Sequence, residues 1–272
     1  MIPRLALILF VGLMFSASAL VAQTRVDELA RVLRLTEVAT ILREEGLRYG
    51  QTLETDMLGG DAGQLFRDRI DRIYASDVIA RWVRQALDKG LSDTDIAAVI
   101  AFFDRPQGQR ILSLENSARV AMADPSIEEI ARQTYADLAD SDDARLAIVS
   151  RFIQTNDLLE RNVAAALGAN YAFLLGLSDG GSDGPGQEDI LAEVWAQEDE
   201  LREETQSWLY GFLLMAYRPL DEAELVAYAE FSATSAGQSL NAALFDGFDG
   251  LYRSISYSLG VVVGQAMGSS DI

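Results

Sequence analysis

Neither cysteine nor histidine occurs anywhere in the 272 residues. The first absence excludes disulfides, thiolate nucleophiles, cysteine-ligated zinc and iron–sulfur clusters; the second removes the commonest metal ligand and general base. No metal or cofactor is therefore expected. Positive charge is also scarce, with 22 Lys plus Arg against 42 Asp plus Glu and a net charge of −20. Such a surface repels phosphate backbones and anionic headgroups, which argues against nucleic-acid binding. What remains is a chain with 49% hydrophobic residues and 24% charged, enough to bury a core as one large domain or two small ones.

The amino terminus reads as an address. One basic residue, Arg4, precedes the apolar run Leu5 to Phe15, and Ala17-Ser18-Ala19 places small residues where a signal peptidase reads. Residues 1–22 are expected to form a secretory signal cut after Ala19 or Ala22, leaving a periplasmic chain with no stable membrane span. The competing reading is a retained anchor, since no charge falls between Arg4 and Arg25. Gly12 and the Ser-Ala cluster count against it. A lipoprotein is excluded, because the acylated residue would have to be cysteine.

From Arg25 onward apolar residues recur at steps of three and four, as in Phe66, Ile70, Tyr74, Val78, Trp82 and in Ile190, Val194, Leu201, Trp208, Phe212, Met215. This period predicts helices, and no alternating strand pattern competes. Acid–arginine pairs four apart support the outer faces: Asp27 with Arg31, Asp68 with Arg72, Asp77 with Arg81, Asp157 with Arg161, Glu198 with Arg202. Breaks are expected near Gly59-Gly60, Gly90, Arg105-Pro106, Asp124-Pro125, residues 140–142 and Pro219, with a loop from Ser178 to Gly186.

Self-comparison finds a duplicated segment. GLSDTDIAAVIAFFDRPQGQRI, running through Leu91 to Ile111, recurs 129 positions later as PLDEAELVAYAEFSATSAGQSL, through Leu220 to Leu240. Ser92 with Asp95, and Asp221 with Glu224, have the spacing of a capping box. Leu91 and Leu220 stand where hydrophobic staples would clasp Ile96 and Leu225. Phe102 and Phe231 are expected to plug the core. Pro106 suits a helical first turn, with Thr234 or Ser235 capping instead in the second copy. Gly108-Gln109 and Gly237-Gln238 offer bare backbone beside an amide, for close helix packing or for ligand contact. The expected architecture is all-α: a multi-helix bundle of two tandem homologous units, 23–140 and 141–272.

The leucine, capping pair, aromatic-ended helix and proline–glycine corner together resemble the repeated signature of the bacterial family called domain of unknown function 2059. The first copy fits better, although Arg105 stands where serine often precedes the proline; the second has Ser232 in place of an aromatic and no proline. The resemblance covers about twenty residues per copy. It implies an exported, all-helical protein of Gram-negative bacteria, and it carries no catalytic residues to transfer.

Among 42 carboxylates some pair will fall at a glycosidase spacing, so proximity alone says little. Helical cell-wall lyases can work with one glutamate, and Glu115 or Glu160 are the candidate acids. Asp179 to Gly184 begins like a calcium loop, but Gly181 and Ile190 stand where ligands are required. Trp195 and Trp208 lie beside the acidic run Glu198–Glu200 and Glu203-Glu204, which suits a basic partner or simply a wetted helix face. Charge is uneven: 21 acids and 15 bases over 23–140, against 21 and 6 over 141–272. Arg67, Arg69, Arg72, Arg81 and Arg84 are expected to meet acids of the second half. The leading functional expectation is non-enzymatic binding or scaffolding of an envelope protein or wall component through a groove between the units. The alternative is a carboxylate-dependent peptidoglycan hydrolase or lyase.

Overall fold

The computed structural model describes residues 25–181 and 185–270, and every regular element among them is an α-helix. The expected signal segment lies outside the described residues. A short helix α1 (residues 25–32) leads into α2 (Leu35–Leu58), α3 (Gly63–Ile73), α4 (Ser76–Gly90), α5 (Asp93–Phe103), α6 (Pro106–Ala121) and α7 (Pro125–Leu138). The second half holds α8 (Ala144–Thr155), α9 (Leu158–Gly180), α10 (Gln187–Ala196), α11 (Glu198–Tyr217), α12 (Glu222–Ser232) and α13 (Ser235–Ser270). None of the described helices is long and apolar enough to cross a membrane.

Most boundaries follow from local chemistry. Gly59 ends α2 at φ 68, and the Gly60 N–H returns to the Glu54 carbonyl at 2.9 Å. Pro106 and Pro125 open α6 and α7, where a missing N–H costs nothing. Asp124 and Asp143 cap α7 and α8 by accepting from Ser126 and Leu146 N–H groups. Two of the breaks that have no glycine or proline behind them turn on left-handed backbone. Arg34 and Asp157 adopt left-handed backbone, φ 55 and φ 53, between α1 and α2 and between α8 and α9. That conformation costs roughly 1–2 kcal/mol for a residue with a side chain.

The expected loop from Ser178 starts late. Helix α9 continues through Gly180 because it is clamped along α13: a Cβ on Gly176 would lie 2.1 Å from the Tyr257 carbonyl oxygen, and one on Gly260 2.1 Å from that of Phe173. Backbone meets backbone there, and tertiary packing holds the last turn against its weak propensity.

Three buried clusters fill the interior, and they interleave the halves. Ile111 of α6 packs with Val149, Leu213, Tyr217 and Leu225 of α8, α11 and α12. Leu240 and Ala243 of α13 pack with Leu29, Val83 and Phe103 of α1, α4 and α5. A third cluster joins Leu42, Phe66 and Ile79 to Leu251 and Leu259 of α13. Each half thus lends a helix to the other's core, and burial of this kind contributes about 25 cal/mol per Å² of apolar surface.

Charge pairing departs from the sequence expectation. Arg67 pairs with Glu54, Arg81 with Asp77 and Arg84 with Asp27, all acids of the first half. Arg69 donates to Gln265, and Arg72 to the Asp68 carbonyl. Acids on adjoining helices reach Arg67 and Arg84 first, and one on its own helix reaches Arg81. Of the spaced pairs, Asp77–Arg81, Asp157–Arg161 and Glu198–Arg202 form, whereas Asp27 turns to Arg84 and Arg31 to Asp104.

Candidate functional site

The repeated segments form two helix–corner–helix units, α5–α6 and the start of α12–α13. Ser92 Oγ accepts from the Asp95 N–H at 3.2 Å while Asp95 accepts from the Ser92 N–H; Asp221 and Glu224 exchange the same pair at 2.8 and 3.0 Å. Leu91, Ile96, Leu220 and Leu225 are all buried beside these caps. Pro106 is the first residue of α6, and in the other copy Thr234 Oγ1 accepts from the Gly237 N–H. A Cβ on Gly108 would fall 2.5 Å from the Phe103 Cα, and one on Gly237 2.3 Å from the Phe231 carbonyl oxygen. Both glycines let a helix start fold tightly onto the end of the one before it.

The amides do parallel work. Gln109 donates to the carbonyls of Phe103 and Val32; Gln238 donates to the Ser232 carbonyl and to Asn156 Oδ1. Val32 lies two residues before the left-handed Arg34 and Asn156 one before the left-handed Asp157, so each corner glutamine anchors the chain beside one kink. Phe102 and Phe231 do not sit in separate cores. Both are partly buried and stack on each other, ring centroids 4.0 Å apart and planes 10° from parallel. The deep plug is Phe103, 2% exposed, whose counterpart is Ser232. These residues are engaged in holding the fold.

The two candidate acids have different fates. Glu115 on α6 accepts hydrogen bonds from Tyr217 at 2.6 Å and Tyr228 at 3.2 Å. Burial raises its carboxyl above the ordinary range, and the two phenol donors only partly offset this. It does not line the groove described next. Glu160 does, but Arg202 binds both its oxygens and holds its carboxyl below the usual range, which suits a permanent carboxylate and not a proton donor. Residues Ser182 to Gly184 of the calcium-like stretch lie outside the described residues, and Asp179 accepts from the Tyr257 hydroxyl at 3.0 Å.

An apolar concavity runs along α9. It has a volume of about 610 Å³, a floor of Val163, Ala164, Leu167, Gly168, Tyr171 and Leu175, and walls from α10 and α13. Leu191 and Trp195 stand on the α10 wall, 47% and 57% exposed. Glu160, Glu198 and Arg202 close one end as an ion triad. Every lining residue comes from 160–257, so the groove lies within the second half and not between the two expected units. Trp195 was the sequence signal for it. The stripe on α9 gives no such signal, because apolar residues surround the helix from Val163 to Leu177 apart from Asn170. Trp208, by contrast, is partly buried and stacks on Phe212 at 5.1 Å.

Residues 79–137 match the family described as "Uncharacterized protein conserved in bacteria (DUF2059)". This is the family whose signature the first motif copy resembles. The matched stretch takes in the corner at Pro106 and stops before the second copy and the groove. No curated protein matches the chain, and no solved structure does.

Proposed function

We propose that this protein is an exported, periplasmic, non-enzymatic binding or scaffolding protein of the bacterial envelope, built from two tandem homologous units, 23–140 and 141–272. The observation that carries the binding reading is the groove on α9. Its floor is apolar, its two carboxylates share one arginine, and a tryptophan is left more than half exposed on its wall. Exposed apolar surface of this kind, rimmed by charge, is the usual mark of a recognition site. Periplasmic export rests on the signal-like residues 1–22.

Support for two homologous units comes from the parallel hydrogen bonds of the two corners and from the matching left-handed residues before α2 and α9. The alternative, a peptidoglycan hydrolase or lyase, has one observation in its favour: Glu115 carries a raised carboxyl between two tyrosines. Against it stands the packing of that carboxyl among α6, α11 and α12, where both its hydrogen bonds go to tyrosines of the fold.

The deciding experiment places a photoreactive amino acid at Leu191 in living cells, with the exposed Thr55 as control. A discrete adduct from position 191 and none from 55 supports the reading. Turnover of purified peptidoglycan by the chain, lost in Glu115→Gln, replaces it with the hydrolase.

A further inference from the structure

The groove is a stripe and not a hole. Its floor residues on α9 follow the spacing of one helical face from Glu160 to Leu175, a length of roughly 22 Å at the helical rise. Small residues interrupt the larger ones, and the exposed Ala164 leaves room for another helix to approach closely. Arg253 lies across Gly168, with its Nε within 2.9 Å of where a Cβ would sit, and it pairs with Asp249. Arg202 is likewise committed, to Glu160 and Glu198.

With both arginines of the groove engaged, the unbalanced charge around it is negative. Residues 187–204, which form the α10 wall and the start of α11, contain eight acids and one arginine. All but Glu198 of those acids belong to exposed residues.

We propose that this groove docks an amphipathic helix of a partner protein, with an apolar stripe against α9 and lysine or arginine flanks against the acids of α10 and α11. The inference rests on the binding reading above and names the chemistry of its partner. Apolar anchors spaced by three and four residues fit the stripe on α9, as in other helix-in-groove complexes. Opposite charge on the flanks steers encounter and fixes orientation. The same acids repel an anionic lipid surface, and they repel a second copy of this strongly acidic chain.

The test uses the purified exported chain and a labelled helical peptide of about 18 residues, leucine on one face and lysine on the rest, followed by fluorescence anisotropy. An acidic twin with glutamate in place of each lysine is the control. The expected result is saturable binding of the basic peptide that weakens with salt, and none of the acidic twin. Gly168→Leu fills the groove without changing net charge and is expected to weaken binding about tenfold or more, a difference near 1.4 kcal/mol. Leu191→Ser, on the exposed wall, removes an anchor with no demand on folding and is expected to act in the same direction.

Equal binding of the acidic twin, or unchanged affinity in both variants, overturns the proposal. So does attachment to phosphatidylglycerol vesicles in place of the peptide, which would assign the groove to a membrane. If the peptide fails while the probe at Leu191 still captures a partner in cells, the charge chemistry is wrong and the binding reading stands; if both fail, both fall.

Discussion

The corner at Gly108 and the corner at Gly237 share a backbone but not a lining. Each has a capping box, a glycine against the preceding helix end and a glutamine reaching back to that end. Behind the first, Phe103 fills the space. Behind the second, Ser232 leaves room that a polar cluster takes up: Asn156 donates to Ser232 Oγ and to the Phe152 carbonyl, while Gln238 and Asn241 donate to Asn156. Asn156 and Ser232 are buried, yet their polar groups are satisfied, which is the condition for such a cluster to be tolerated. The difference separates what the corner requires, cap pair, glycine and glutamine, from what merely fills it.

Emptying the first lining is expected to have the largest effect. Phe103→Ala is expected to cost about 3–5 kcal/mol in denaturant unfolding, against about 1 kcal/mol for Ser232→Ala. Equal losses would erase the distinction between plug and polar cluster. Next come the glycines. Gly108→Ala and Gly237→Ala are each expected to destabilise by about 1–3 kcal/mol, because the added carbon meets backbone, although alanine is the better helix former by about 1 kcal/mol. If either variant gains stability, that corner is not closely packed.

A smaller effect sharpens a second asymmetry. Glu115 reaches Tyr217 and Tyr228 of the second half, and the position 129 residues after it is Leu244, so the other side of the molecule carries no such carboxyl. Its folded pKa lies above the unfolded value of 4.5, so the native state binds the proton more tightly. The stabilisation is complete below that value and is lost as pH rises through the folded pKa. Glu115→Gln is therefore expected to flatten the fall in melting temperature above pH 4.5, leaving the lowest-pH value little changed. A slope identical to that of the unmodified chain would place the carboxyl in water.

Much of this was legible from local chemistry. Helix type followed from the period of the apolar residues, and the breaks at Gly59, Gly90, Pro106, Pro125 and Pro219 follow from residues that cannot propagate a helix. The kinks at Arg34 and Asp157 were not legible, because their left-handed backbone is held by tertiary contacts, among them the glutamines 75 and 81 positions away. Nor was the exchange of helices: nothing local to α6 or α13 says which half each will pack against. The family match over 79–137 follows the better copy of the motif and leaves the groove beyond it. Trp195 stood out beside its acids, but whether such a residue lines a groove or only faces water is a property of α9 and α13 together.

The two copies touch through the stack of Phe102 on Phe231, and beside it through Arg110 and Gln107, which both donate to Glu224; a double-mutant cycle between the two rings tests most directly whether the corners meet as partners. Unfolding free energies of Phe102→Ala, Phe231→Ala and the double variant should reveal a favourable coupling of about 0.5–1.5 kcal/mol. Losses that add, within about 0.3 kcal/mol, would mean that the two rings do not share a contact and that the corners do not meet through their aromatic ends.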